Sequence, residues 1–216
     1  MNFYLQTQFL HNLKNPTIVD FGANIGLESL KLEKIWPKAN FILVEPDPGN
    51  CDIMRSYTKE NWTIEQCAVD LESGEREFGF EYNAGLYGRI NGSLDPFNWE
   101  RWNYEGIYKV KTKTPKEICS NPDIIKMDIE RQEYKVLPEV CKLNPKILYI
   151  ELHGPCYDLN ILSFLEECIE KTNLEVTGWY RVYQDQKKSD DAFHSVDPMD
   201  FIGCGDFYTI IMESNG

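Results

Sequence analysis

The sequence is short of positive charge. Its 216 residues contain 22 Lys and Arg against 35 Asp and Glu, which gives a formal net charge of −13. Nucleic acids and anionic membrane surfaces attract clustered Lys and Arg, and an acidic surface repels them on average. The composition therefore disfavours a nucleic-acid partner.

The sequence also lacks C-x-x-C pairs, long apolar runs and internal repeats. Its seven cysteines are odd in number and irregularly spaced, which fits neither a disulfide framework nor a zinc site. No apolar run approaches the ~20 residues of a membrane span, and residues 1–16 carry Gln and Asn among their apolar side chains, unlike a signal peptide. We therefore expect a protein with reduced thiols, no membrane span and a cytoplasmic location.

No Pro/Gly/Ser-rich linker divides the chain, so residues 1–216 are predicted to form a single domain. Short apolar runs alternate with segments of helical periodicity, which is typical of an α/β protein. The predicted strands cover 17–21, 41–44, 62–69, 123–128 and 146–152, and the predicted helices cover 26–36, 48–59, 130–143 and 158–171. Two further strands, 174–183 and 207–212, have no helix between them and should pair antiparallel. The sequence therefore predicts an α/β sandwich around a mostly parallel sheet.

Two segments interrupt this alternation. Residues 71–106 begin with a predicted polar hairpin over 71–82 and continue with a stretch over 83–106 that is dense in Gly, Asn and aromatic residues. Long ordered loops in compact domains are usually functional, so we interpret 71–106 as a lid or acceptor-binding insertion, with a purely structural insertion as the alternative. The second segment is an acidic loop over 184–200.

The predicted carboxyl ends of the parallel strands carry small or acidic residues. Ligands of such sheets bind beyond these strand ends, so the residues there are the candidate site. They are Asp20, Gly22, Asn24 and Gly26 after the first strand, Glu45, Pro46 and Asp47 after the second, Ala68 and Val69 at the third, Asp128 and Glu130 after the fourth, and His153 after the fifth. Gly22 permits a sharp turn, and Glu45 can accept hydrogen bonds from both hydroxyls of a ribose. The pattern indicates a nucleoside cofactor; for either glycine alone, an ordinary strand–helix turn is the alternative.

The first turn has the spacing D-x-G-x-x-x-G, which differs from the dinucleotide pattern G-x-G-x-x-G. Asn24 stands where a dinucleotide site needs the glycine that lets the pyrophosphate approach. The ligand is therefore expected to lack a pyrophosphate, and S-adenosylmethionine is such a ligand. Its ammonium group and its sulfonium would suit a pocket edged by Asp20, Glu45 and Asp128.

Five blocks of the sequence resemble the FkbM-type methyltransferases: VDFGANIGLESL, LVEPDP, CAVD, IIKMDIERQEYKVLP and ILYIELH. The resemblance implies a class I, S-adenosylmethionine-dependent methyltransferase. It also implies a Rossmann-like three-layer sandwich with a mostly parallel seven-stranded sheet and a C-terminal antiparallel hairpin. Many members of this family methylate hydroxyls of sugars or of glycosylated small molecules. A small-molecule or carbohydrate acceptor is therefore implied here as well.

The resemblance assigns roles to individual residues. The methionine part of the cofactor would be held by Asp20, Gly22, Asn24 and Gly26. The ribose would be held by Glu45, with Pro46 and Asp47 beside it, and the adenine would be flanked by Ala68 and Val69. The reaction centre would be faced by Asp128, Glu130 and His153. One position departs from the family, which usually has glycine directly after the acid at position 130, where this chain has Arg131. An arginine there implies a different local conformation or a contact with the acceptor. It also leaves open a module that binds the cofactor but is catalytically impaired.

Methyl transfer to a hydroxyl requires a group that removes the hydroxyl proton. Of the three histidines, His153 is the candidate base, while Asp128 would orient the acceptor or stabilise the imidazolium. Asp128, Glu130 and His153 could also hold a divalent metal, but no metal-binding motif accompanies them, so we expect no required metal. The alternatives are a structural role for His153 and a protein or nucleic-acid acceptor. No feature of the sequence specifies an oligomeric state.

Overall fold

The computed structural model describes residues 13–82, 89–96, 106–153, 161–182 and 207–214. Within these ranges the strands are β1 (Thr17–Phe21), β2 (Asn40–Val44), β3 (Trp62–Glu65), β4 (Ala68–Val69), β5 (Gly74–Tyr82), β6 (Arg89–Ser93), β7 (Gly106–Lys113), β8 (Ile124–Met127), β9 (Ile147–His153), β10 (Leu174–Val182) and β11 (Phe207–Ser214). The helices are α1 (Leu27–Ile35), α2 (Pro48–Ser56), α3 (Pro115–Ile118), α4 (Glu133–Cys141) and α5 (Ile161–Ile169). None of the helices in these ranges is long and apolar enough to cross a membrane.

Seven strands form the larger sheet, in the order β3-β2-β1-β8-β9-β11-β10. The pairs from β3 to β9 are all parallel, and β11 runs antiparallel to both β9 and β10. The mostly parallel sheet and the antiparallel C-terminal pair predicted from the sequence are therefore present. The strand β1 lies between β2 and β8, so its carboxyl end lies inside the sheet and at neither edge.

Helices cover both faces of this sheet, which produces three layers. Alternate residues of β1 belong to separate cores, because successive side chains of a strand point to opposite faces. Ile18 packs with Leu32 of α1 and Met54 of α2, whereas Val19 packs with residues of α4 and α5 on the opposite face. Because both faces of the strand are buried from Ile18 to Phe21, these residues are apolar except for Asp20.

The predicted third strand over 62–69 is wrong in part. The chain leaves the larger sheet after Glu65, and Ala68–Val69 pairs with β7 in a second sheet. The pattern misled because buried apolar residues stand at both ends of this segment, at Trp62 and at Ala68–Val69, although they belong to different sheets.

The second sheet corrects the prediction for the insertion. It has four strands in the order β4-β7-β5-β6. Residues 71–82 are not a hairpin: β5 is one nine-residue strand that pairs antiparallel with β7 and β6. The sheet has its own small apolar core of Ala68, Phe78 and Val110. Residues 83–88 and 97–105 and the predicted acidic loop over 184–200 lie outside the described residues, and the lid role stays a prediction.

Candidate active site

A cavity with about 690 Å³ of empty space, including its open mouth, lies beyond the carboxyl ends of β1, β2 and β8. Most of the residues predicted from the strand ends line it. They are Gly22, Asn24, Glu45, Pro46, Asp47, Ala68, Val69, Asp128 and Glu130.

The turn after β1 brings two parts of the cavity wall into contact. Gly22 has a φ of +77°, and a Cβ atom there would lie 1.8 Å from the carbonyl oxygen of Asp128. The Gly22 and Ala23 amides both donate to the Val44 carbonyl oxygen, at 3.0 Å. Only glycine fits this position, because any side chain would displace the strand end that carries Asp128.

Glu45 is held by the main chain on both carboxylate oxygens. Its Oε2 accepts from the Asn24 amide and its Oε1 from the Asp47 amide, each at 2.9 Å. The residue is only 6% exposed. Burial raises the pKa of Glu45 to about 7, although the two amide hydrogen bonds lower it. The carboxylate is thereby fixed in orientation before any ligand binds.

Asp47 joins the two sheets at the cavity. Its Oδ1 accepts from the Asn50 amide at 2.8 Å, which caps the N-terminus of α2. Its Oδ2 accepts from the Tyr108 hydroxyl of β7 at 2.6 Å. The buried side chain of Asp47 therefore links α2, which packs against the larger sheet, to β7 of the second sheet.

Two predicted cofactor residues lie outside the cavity wall. Asp20 is fully buried, and its Oδ2 accepts from the Ser29 hydroxyl at 2.7 Å. Gly26 precedes α1 with a φ of +79° and packs against Tyr57 and Met54. Both residues therefore lie behind the turn and outside the cavity lining, and their contact with the cofactor stays a prediction.

Lys126 is a site residue that the sequence analysis missed. Its Nζ lies 3.3 Å from Asp20 Oδ1 and 3.6 Å from Asp128 Oδ2, and it donates to the Gly22 carbonyl oxygen at 3.2 Å. Burial lowers the pKa of Lys126, but the charges of Asp20 and Asp128 raise it well above its usual range. The ammonium group thus joins the ends of β1 and β8. Its only sequence signal is a lysine within the apolar strand IIKM.

Three carboxyl groups lie together at the ends of β8 and β9. Burial raises the pKa of Glu130 to about 7 and that of Glu151 to about 9, and the negative charge of Asp128 adds to both shifts. A hydrogen bond between Glu151 and Asp128 raises the pKa of Glu151 further and lowers that of Asp128. Burial alone would raise the pKa of Asp128, but the positive charges of Lys126 and His153 lower it. Of the three carboxyl groups, Asp128 is therefore the one that is ionised.

His153 lies behind this group, outside the described wall of the cavity. Its Nδ1 lies 3.1 Å from Glu133 Oε1, and its Nε2 lies 3.6 Å from Glu130 Oε2 and 3.8 Å from Asp128 Oδ1. Burial lowers the pKa of His153, but Glu133, Glu130 and Asp128 raise it well above its usual range. These carboxylates favour the imidazolium form, which has no ring nitrogen free to accept a proton.

The same side chains could offer ligand atoms to a cation. Asp128, Glu133 and His153 each place one such atom within 4.8 Å of the others. Glu133 is fully buried and already accepts from the Ile129 amide at 2.9 Å as well as contacting His153. The Lys126 ammonium and the imidazolium supply positive charge here, and the absence of a required metal stays a prediction.

The second sheet provides an apolar wall that the sequence analysis did not identify. Phe78, Phe80 and Leu94 line the cavity opposite the strand ends of the larger sheet. Gly92 lies so close to Phe78 that a Cβ atom would be 2.3 Å from its ring. The available signal was the spacing of Phe78 and Phe80, which places both rings on one face of a strand.

The loop between β8 and α4 has an unusual backbone conformation at the position where the family usually has glycine. Arg131 has a φ of +81° and Glu130 a φ of +52°, both in the left-handed region. This conformation costs about 1–2 kcal/mol for each residue other than glycine. The arginine adopts this unfavourable conformation, and whether relatives share it, or whether Arg131 contacts the acceptor, stays a prediction.

The sheet order, its reversed strand β11 and a cavity at the ends of β1, β2 and β8 define a class I methyltransferase fold. The methyltransferase FkbM of Methylobacillus flagellatus KT superposes with a TM-score of 0.53 over 92% of this chain and 43% of its own, at 17% identity. The precorrin-6y C5,15-methyltransferase of Geobacter metallireducens GS-15 covers 95% of this chain and 84% of its own, with a TM-score of 0.48 and 14% identity.

The family follows from the sequence comparison. The profile of the methyltransferase FkbM domain matches residues 20–171, so the chain belongs to the FkbM methyltransferase domain family. Methyltransferase sdnD of Sordaria araneosa is 28% identical over 167 residues, which cover 75% of this chain and 59% of that protein. The chain thus matches less than two thirds of this relative's length. The resemblance drawn from the five sequence blocks is confirmed.

Proposed function

We propose that this chain binds S-adenosylmethionine in the cavity and transfers its methyl group to a hydroxyl of a sugar, glycan or glycosylated small molecule. The observation that carries the proposal is the set of acidic side chains in the cavity wall. Four carboxyl groups line it, those of Glu45, Asp47, Asp128 and Glu130, and its described residues include no Lys or Arg. Such a wall suits a ligand with a positive sulfur and an ammonium group and no phosphate.

The shape of the site fits this cofactor. The carboxylate of Glu45 is fixed by two main-chain amides and faces the cavity, where it can accept hydrogen bonds from the two ribose hydroxyls. Ala68 and Val69 are small and buried and offer an apolar surface for the adenine. Gly22 gives the methionine part a close approach to the main chain.

When bound, the cofactor supplies an electrophilic methyl group on a positively charged sulfur. The protein has to align the acceptor hydroxyl with that methyl group and to take up its proton. Glu130 lines the cavity and lies between it and His153, so Glu130 is the group placed to accept the proton. The imidazolium of His153 then stabilises the ionised Glu130, and Glu133 orients the imidazolium.

Calorimetry with S-adenosylmethionine and S-adenosylhomocysteine tests the pocket. We expect both to bind, and we expect Glu45→Ala to weaken binding by about 10–100-fold, since it removes hydrogen bonds to a charged acceptor. Glu60→Ala, at an exposed glutamate outside the cavity, is the matched control and should bind as the wild type does. The absence of binding at millimolar concentration of both compounds would contradict the proposal.

The proton acceptor is tested by turnover once an acceptor is identified with labelled cofactor and a panel of sugars and glycosides. We expect Glu130→Gln to lower turnover by about 100-fold or more while the affinity for the cofactor changes little. His153→Asn should lower turnover less. The opposite ranking would return the role of base to His153, as the sequence analysis predicted.

The alternative of a catalytically impaired module depended on Arg131. Its left-handed φ is one that glycine also tolerates, so the arginine does not by itself require a different backbone at this position. The net charge of −13 continues to weigh against a nucleic-acid acceptor.

A further inference from the structure

Glu130 and Arg131 form a turn that ordinary L-residues avoid, because the side chain in the left-handed region crowds the following carbonyl group. Two such residues in succession persist only where the surrounding structure holds them. The question is therefore which contacts fix this turn beside the cavity.

The contacts come from the end of β6 in the second sheet. Ser93 is fully buried and its hydroxyl donates to the Glu130 carbonyl oxygen at 2.6 Å. Arg131 Nε donates to Asp95 Oδ2 at 2.9 Å, and the arginine side chain is 13% exposed. The Asp95 amide in turn donates to the Ser93 hydroxyl oxygen at 3.0 Å. The carbonyl group of one turn residue and the side chain of the other are thus held by one short segment.

The position of the Glu130 carboxylate depends on this turn. Its Oε2 is 3.6 Å from His153 Nε2, while the residue also lines the cavity. A change of the backbone from the left-handed to an ordinary conformation would redirect the side chain away from one of these neighbours. Such displacements of about 1 Å can cost about 100-fold in rate.

We propose that Arg131 is a positioning residue, whose ion pair with Asp95 holds the left-handed turn and so keeps the Glu130 carboxylate between the cavity and His153. Its part in methyl transfer rests on the function proposed above. The guanidinium does not itself act on the reacting atoms. The second sheet thereby acts on the chemistry through Ser93 and Asp95, in addition to forming the apolar wall.

If the proposal is right, glycine at position 131 should preserve the turn, whereas alanine should not. Arg131→Ala removes the ion pair and keeps the unfavourable backbone, so the turn should relax. Arg131→Gly also removes the ion pair, but glycine adopts the same φ without strain. We therefore expect the glycine variant to behave like the wild type and the alanine variant to lose the turn. Asp95→Asn should resemble Arg131→Ala in direction, because it replaces the charged partner of Arg131 by a neutral amide, which is a weaker acceptor.

The first readout is the titration of the Glu130 side chain, followed by carbon NMR of labelled glutamate and assigned with Glu130→Gln. The pKa of Glu130 in the wild type is about 7, with His153, Asp128, Glu133 and Lys126 as the charged neighbours. In Arg131→Ala and Asp95→Asn the carboxylate gains water, and its titration should shift by about one unit or more towards the ordinary value of about 4.3. In Arg131→Gly it should stay within about 0.3 units of the wild type.

The second readout is amide hydrogen exchange over residues 128–132. We expect exchange to accelerate by about tenfold in Arg131→Ala and Asp95→Asn, and to be unchanged in Arg131→Gly. Asp95→Asn should have no further effect when added to Arg131→Gly, since the ion pair is then already absent. The control is Arg55→Ala, which removes an arginine–aspartate pair of the same 2.9 Å length on the exposed surface of α2 and should change neither readout.

Two outcomes would overturn the inference. One is a Glu130 titration that stays at the wild-type value in both Arg131→Ala and Asp95→Asn. The other is an Arg131→Gly variant that shifts as far as the alanine variant, which would mean that the guanidinium acts directly and not through the turn. Neither readout uses a cofactor, so they stay interpretable if S-adenosylmethionine fails to bind and the proposed function is lost.

Discussion

At the scale of single residues, the buried cation of Lys126 compensates the two acids on either side of it. Lys126→Met keeps the length of the side chain but leaves Asp20, which is fully buried, without its cation. We expect the free energy of unfolding to fall by about 3–5 kcal/mol, because breaking a buried pair exposes the remaining charge to an apolar environment. Urea unfolding at neutral pH measures the change.

The matched control for this substitution is Lys146→Met. Its ammonium group also pairs with an aspartate, Asp123 at 2.7 Å, but 58% of the lysine side chain is exposed. An exposed pair contributes about 0–1 kcal/mol, so the control should change little. Equal losses in the two variants would show that burial of Lys126 contributes nothing beyond a surface pair.

A second prediction at this scale concerns pH. The pKa of Glu45 is about 7 in the folded protein and about 4.3 in the unfolded chain, so the folded state binds the extra proton between these values. The bound proton stabilises the folded state fully below about pH 4, and this stabilisation is lost as the pH rises to about 7. We expect the difference in unfolding free energy between wild type and Glu45→Gln to fall by roughly 3 kcal/mol over this range.

The measurement is urea unfolding of both proteins at several pH values, without ligand. Glu60→Gln, at an exposed position, serves as the control and should follow the wild-type profile. A constant difference between wild type and Glu45→Gln would mean that the two amide hydrogen bonds fully offset the burial of the carboxyl group.

The sequence predicted the site residues that lie at strand ends. It missed those whose role depends on partners far away along the chain. Glu45 and Gly22 could be found because their roles follow from local order: a strand, then a turn at the known edge of a parallel sheet. Lys126 could not, because its meaning depends on Asp20, which lies on a neighbouring strand but far away along the chain. The left-handed turn at Arg131 was missed for a similar reason, since Asp95 stabilises it from another sheet.

At the scale of the elements, the two sheets are fastened together at Asp47. Tyr108→Phe removes the hydrogen bond from β7 to this carboxylate and leaves the ring packing between Phe78 and Phe80 in place. We expect a loss of about 1.5–3 kcal/mol in unfolding free energy, as for a hydrogen bond to a charged group. Affinity for S-adenosylhomocysteine should also fall, because Asp47 caps the helix that follows Glu45.

Tyr57→Phe is the control for this change. The Tyr57 hydroxyl is buried without a hydrogen-bond partner among the described residues, so its removal should leave the unfolding free energy unchanged or slightly higher. The prediction for Tyr108 is wrong if both hydroxyl deletions have the same effect.

The second sheet also shows why a whole element escaped prediction. The strand β5 has the sequence GEREFGFEY and is polar on one face. Its other face is apolar only from Phe78 and Phe80 onwards. The strand β7 alternates in the same way through Tyr108 and Val110. Each of these alternating patterns is short. The sheet can be recognised only when β5 is paired with β7, and a prediction from neighbouring residues along the chain does not include that pairing.

At the scale of the whole molecule, the cavity draws its wall from both sheets, so a ligand stabilises them together. We expect S-adenosylhomocysteine at 100 times its dissociation constant to raise the free energy of unfolding by about 2.7 kcal/mol. Hydrogen exchange should slow both in the β1–α1 turn and in β5, which carries Phe78 and Phe80. Protection confined to the larger sheet would show that the second sheet takes no part in binding.

The central position of β1 has a consequence for how the chain is made. Ile18 pairs with Phe41 on one side and with Ile124 on the other, so one edge of an apolar strand stays open until β8 has been synthesised. Such non-local pairing slows folding, and an open apolar edge invites association between nascent chains. The yield of this protein in a cell should therefore depend on chaperones that shield the first half of the chain during translation.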